Sequence, residues 1–150
     1  MNATQLKRIE KQLSVTLPDC YRKFLKSPPS ILAAALRQEE KETPGQTPLF
    51  LDVDEIINAN RMMRDPKHPE FFGFGPTDDP EPWPKQFLII GSDVGGNFYC
   101  IKPASGTTAV YFWYQGDTVL KRCAKDLATF IQQIFKSYGK FAAAECSENG

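Results

Sequence analysis

The chain has 150 residues, 41% of them hydrophobic and 24% charged, and carries no net charge at pH 7. That length fits a single domain, 1–150, which buries roughly 70% of its unfolded surface without a disulfide or metal staple, and the composition excludes disorder over most of it. Zero net charge conceals an asymmetry, with 8 Lys+Arg against 5 Asp+Glu in residues 1–47, 4 against 9 in 48–100 and 6 against 4 in 101–150, and the lack of a basic block excludes nucleic acid as the main partner.

MNATQLKRIEKQ has no apolar h-region, and no run approaches the roughly 20 apolar residues needed to cross a bilayer, so a cytoplasmic protein is expected. Leu6, Ile9 and Leu13 at i, i+3 and i+7, after Asn2 and Thr4 as possible caps, predict an opening amphipathic helix. Pro18 suits the first position of a second, with Tyr21, Phe24 and Leu25 as its apolar face and Pro28 and Pro29 ending it. Residues 31–42 read as a third helix, although ILAAAL by itself fits helix and strand alike, TPGQTP as a turn and PLFLD as a short strand. VDEIINANRMMR reads as a fourth helix, capped by Asp52 or Asp54.

Residues 65–84, DPKHPEFFGFGPTDDPEPWP, form a long loop with six prolines. Loops of this length are commonly functional or disordered. Phe71, Phe72, Phe74 and Trp83 predict that this one packs. Then come QFLIIGS, NFYCIK, AVYFWYQ and a shorter TVLKR, all with strand composition. A closing helix carries Leu127, Phe130, Ile131, Ile134, Phe135 and Tyr138 at helical spacing, with Gly139 placed to end it and 139–150 as a frayed tail. Helices, a block of antiparallel strands and a final helix make the fold class α+β.

GSDVGGN, Gly91 to Asn97, is the segment most open to a catalytic reading. Its spacing fits neither a dinucleotide fingerprint nor a P-loop, both of which present phosphate to a helix N-terminus, whereas a strand follows here. Ser92 is out of position for a nucleophile elbow. The single histidine, His68, has no metal-ligand spacing around it, and Cys20, Cys100, Cys123 and Cys146 show no CxxC pair. Reduced, mostly buried thiols are expected, with no catalytic residue, metal or cofactor. Gly95 and Gly96 tolerate positive φ, and Asp93 and Asn97 satisfy turn amides, so the segment reads as a hairpin turn.

IGSDVGGN leading into an aromatic strand, VYFW on the next strand, the closing LATFIQQIF and the early LPDCYRKFL together resemble the SUKH superfamily, in the branch named for the fungal cell-wall assembly regulator. The resemblance spans Leu6 to Phe135. It implies a curved, mainly antiparallel sheet with helices packed on it, and a non-catalytic protein-binding role. In bacteria that role is toxin immunity, against nucleases or deaminases; the alternative is a regulatory or scaffold module without a toxin. The chain departs from the family pattern at SPPS, where Asn-Gly is usual, and in the longer acidic proline loop. Variable loops are where partner choice lies.

Asp78, Asp79 and Glu81 are either an acidic lure for a basic partner or a solvated loop tip. Trp83 either anchors an interface or tacks its loop to the sheet. Tyr111 to Tyr114 alternate along one strand, so one pair is core and the other is core or interface according to whether a helix covers it. Tyr114, Gln115 and Asp117 complete the partner-binding candidates.

Overall fold

Asn2 opens the first helix with a reciprocal cap: its Oδ1 accepts from Gln5 N at 2.9 Å, and Gln5 Oε1 accepts from Asn2 N at 2.9 Å. This helix, α1 (Ala3–Leu13), ends at Ser14 in the left-handed region. In the computed structural model, which describes the backbone of residues 1–148 and the side chains of residues 1–138, it is followed by α2 (Asp19–Lys26), α3 (Ser30–Glu42) and α4 (Val53–Arg64). Pro18 precedes α2 in an extended conformation instead of occupying its first turn, and its carbonyl accepts from Arg22 N. Asp52 caps α4, accepting from Asp54 N at 2.7 Å and Glu55 N at 3.3 Å.

The strands β1 (Leu88–Ser92), β2 (Phe98–Ile101), β3 (Val110–Trp113) and β4 (Lys121–Ala124) form one open antiparallel sheet in the order β1-β2-β3-β4. Helices and sheet thus make the α+β fold expected from the sequence. The fourth strand begins later than TVLKR implied. Trp113 Nε1 donates to Asp117 O and Asp117 N to Tyr114 O, which keeps the connection in a turn.

PLFLD is not a strand. Ser92 N donates to Thr47 O and Phe50 N to Ile90 O, so this segment lies along β1 with two isolated bonds. Gly91 permits the approach: a Cβ there would come within 1.8 Å of Pro48 O. Asn60, fully buried on α4, donates to Ile89 O at 3.0 Å and accepts from Ile89 N at 2.9 Å.

Both faces of the sheet are covered. Phe98 and Trp113 stack on one face with Trp83 and Phe74, their centroids 5.2–6.0 Å apart. Trp83 is 1% exposed and Trp113 fully buried. Side chains of this size each contribute about 1.5–3 kcal/mol or more through burial. On the opposite face Tyr99 packs between Phe112 and Phe130 of the last helix, α5 (Leu127–Glu148). α5 thus covers this face at Tyr99, while Phe112 is half-buried and Tyr114, just past the strand, stays exposed. That helix runs past Gly139 to Glu148, so the stop expected at Gly139 is overturned. Ala142 to Glu145 are strong helix formers, and one interior glycine costs only about 1 kcal/mol.

Candidate functional site

The β1–β2 hairpin is built by Asp93 and Asn97. Asp93 Oδ1 accepts from Gly95 N at 2.9 Å and Asn97 N at 3.1 Å, while Asn97 Nδ2 donates to Asp93 Oδ2 at 3.1 Å. Gly96 has φ +75° and needs glycine for that reason. Gly95 does not adopt a positive φ; a Cβ there would instead press on Asn97 Nδ2 at 2.9 Å. The side-chain bonds of Asp93 hold this turn together.

Three loops converge at this end of the sheet. Asn97 Oδ1 accepts from Gln115 N at 2.9 Å, which ties the hairpin to the β3–β4 connection. Gly75 packs towards Thr118, and Phe74 stacks on Trp113, which brings the proline-rich loop alongside. Phe74 and Glu81 exchange both backbone bonds as an isolated bridge, closing the segment between them into a braced tip. Asp78, Asp79 and Glu81 project from that tip, exposed, and Gln115 and Asp117 are exposed on the neighbouring turn. Among the described residues Val94, Tyr114 and Val119 are three of the four large apolar side chains left exposed, at 74%, 55% and 60%. The two groups of partner candidates read from the sequence are thus parts of one surface. Trp83 is not on it. Its indole is core, packed against Phe74, Phe98 and Trp113 and donating Nε1 to Phe87 O at 3.0 Å.

Beside this surface an open groove of about 990 Å³ runs between α3, α4 and the start of the proline-rich loop, reaching Gly96 at its end. Phe50, Ala59, Met62 and Phe98 give it apolar lining, and Glu40, Asp52, Glu55 and Glu70 an acidic one. Burial first, then the adjacent Glu40 carboxylate and its hydrogen bond, then Asp52, push the Glu55 carboxyl up to about 7. Glu40 Oε2 and Glu55 Oε1 are buried without another donor. One proton held between the two carboxylates satisfies both. His68 also lines the groove, its Nδ1 accepting from Glu70 N at 3.0 Å, which leaves the other ring nitrogen to carry the proton. Among the described residues no three His, Cys, Asp or Glu side chains form a group able to hold a metal ion.

The sequence reading missed the Glu40–Glu55 pair, because the two lie on different helices 15 positions apart and nothing local marks either. It also placed the thiols wrongly: Cys100 is buried, but Cys20 and Cys123 are exposed, and the Cys146 side chain lies outside the described residues. Cys100, enclosed in apolar surroundings, has its thiol pushed up, the opposite of an activated nucleophile. Among the described residues no helix is long and apolar enough to cross a membrane.

No curated protein and no solved structure is significantly similar to the chain. A family model, by contrast, matches residues 1–133. That match covers all four N-terminal helices, the whole sheet and the first turns of α5. The chain belongs to the SMI1 / KNR4 family (SUKH-1).

Proposed function

We propose that the protein is a non-catalytic binding module that neutralises a cognate toxin of nuclease or deaminase type, using the three-loop end of the sheet. The observation that carries this reading is the composition of that end. Exposed Val94, Tyr114 and Val119 are accompanied by Asp78, Asp79, Glu81 and Asp117 on loops held by side-chain and backbone bonds. Apolar anchors bordered by charge are the usual make-up of a protein interface, and a braced loop loses little entropy when it binds. A nuclease must attract phosphate and is basic around its active site, so an acidic surface is steered towards that site and covers it.

The test is binding kinetics against the product of the adjacent gene at two salt concentrations. Replacing Asp78, Asp79 and Glu81 together by serine is expected to slow association and weaken its salt dependence. Tyr114→Ala is expected mainly to speed dissociation. An unchanged on-rate and salt response in the triple variant would remove the acidic loop from the interface.

A further inference from the structure

The groove beside the three-loop end has the opposite charge balance to a phosphate or substrate carboxylate site. Glu40, Asp52, Glu55 and Glu70 line it with His68, no lysine or arginine among the described residues does, and its remaining surface includes Phe50 and Met62. Among the described residues the ion pairs are Arg8–Asp54 and Arg22–Glu10, so none of the described cations is paired with Glu40 or Glu55. Glu40, Asp52 and Glu55 also line an adjoining depression together with Arg37 and Lys41, which make no ion pair with them. Two carboxylates brought together without a cation need one positive charge between them, and buried oxygens on both lack any other donor. The groove also reaches Gly96, whose neighbour Asn97 is bonded to Gln115, so it continues the surface assigned above to the partner.

We propose that this groove receives a basic side chain from the protein partner, its charged head paired with Glu40 and Glu55 and its aliphatic stem laid along Phe50 and Met62. The proposal rests on the protein-binding reading and names the chemistry of the partner: a segment that presents an arginine or lysine next to an apolar residue. A guanidinium or ammonium supplies the charge that a single proton otherwise supplies, with several donors instead of one. Its stem covers apolar surface while its head stays on the carboxylates.

The experiment is a titration of the ¹⁵N-labelled protein, followed by amide shifts, with acetyl-Leu-Arg-amide and with its neutral isostere acetyl-Leu-citrulline-amide. The arginine peptide is expected to give saturable shifts at Gly45, Glu55, Asn58 and Gly96, and the citrulline peptide to bind about tenfold or more weakly. Glu55→Gln, a neutral replacement of the same shape, is expected to bring the arginine peptide down to the citrulline level. The triple serine variant of Asp78, Asp79 and Glu81 is expected to bind the peptide normally. No saturable shift at millimolar arginine peptide, equal binding of the two peptides, shifts confined to the 76–82 loop, or full binding by Glu55→Gln would each overturn the proposal. No toxin is needed, so these outcomes leave the acidic-loop reading standing, whereas an unchanged on-rate in the triple variant would remove that reading and leave the groove.

Discussion

Asn97 is bonded in two directions at once: its Oδ1 accepts from Gln115 N on the β3–β4 connection, and its Nδ2 donates to Asp93 Oδ2 within its own hairpin. Only a primary amide has an acceptor and a donor at that separation. Asn97→Ala is expected to lower stability by about 1–2 kcal/mol and to free the Gln115 amide. Urea denaturation together with hydrogen exchange at Gln115 checks this; protection retained at Gln115 would show that the two turns are held by something else.

Asn60 takes both backbone groups of Ile89 in a site without water access. Asn60→Leu keeps the volume but leaves a buried N–H and a buried C=O unpaired. The expected cost is about 3 kcal/mol, read as a fall in the urea midpoint at unchanged slope. A loss below about 1 kcal/mol would mean that Ile89 finds other partners.

Gly91 and Gly106 make a controlled pair. A methyl group at Gly91 would overlap Pro48 O, whereas one at Gly106 meets nothing within 4 Å. Gly91→Ala is expected to cost several kcal/mol by forcing the Thr47–Phe50 segment off β1, and Gly106→Ala to change stability by about 0.5 kcal/mol or less. Thermal melts of both variants test the contact, and equal melting temperatures would refute it.

Glu55 gives the protein a pH dependence of known sign. Its carboxyl is raised from 4.5 to about 7 in the folded state. Stability linked to this group is therefore complete below about 4.5 and declines as pH rises through about 7. The full displacement corresponds to ~3 kcal/mol, which solvent screening at this half-open site reduces to about 1–2 kcal/mol. Glu55→Gln is expected to gain that amount at pH 8 and nothing at pH 4, flattening the curve. Parallel curves for the two proteins between those limits would show that Glu55 is not held against Glu40.

Much of the architecture was legible because it is written in short-range pattern. Leu6, Ile9 and Leu13 buried on α1, Asp52 capping α4 and the turn of Asp93 to Asn97 each depend on neighbours within a few residues. What escaped depends on separation in sequence. Asn60 meets Ile89 across 29 positions, Gly91 meets Pro48 across 43, and Glu40 finds Glu55 only once α3 and α4 are packed. Trp83 shows the same limit from the other side: its composition allowed anchor or core, and the space between Phe74, Phe98 and Trp113 decided for core. At the candidate site the acidic loop and Tyr114 were visible as separate segments, but their adjacency depends on the bond from Gln115 to Asn97.

The covering of β1 by Asn60 and the Thr47–Phe50 segment also bears on self-association. An edge strand with free N–H and C=O groups is a template on which another chain adds a strand, the first step towards swapped dimers and fibres. On β1 that template is already occupied, by one side-chain amide and by two bonds from a segment that is too irregular to be a strand itself. The other edge, β4, begins with exposed Lys121 and Arg122, whose charges repel a second copy of themselves. Both edges of the sheet are thereby guarded against strand addition, and loosening the Asn60 clasp is expected to expose the sheet to aggregation before it unfolds the domain.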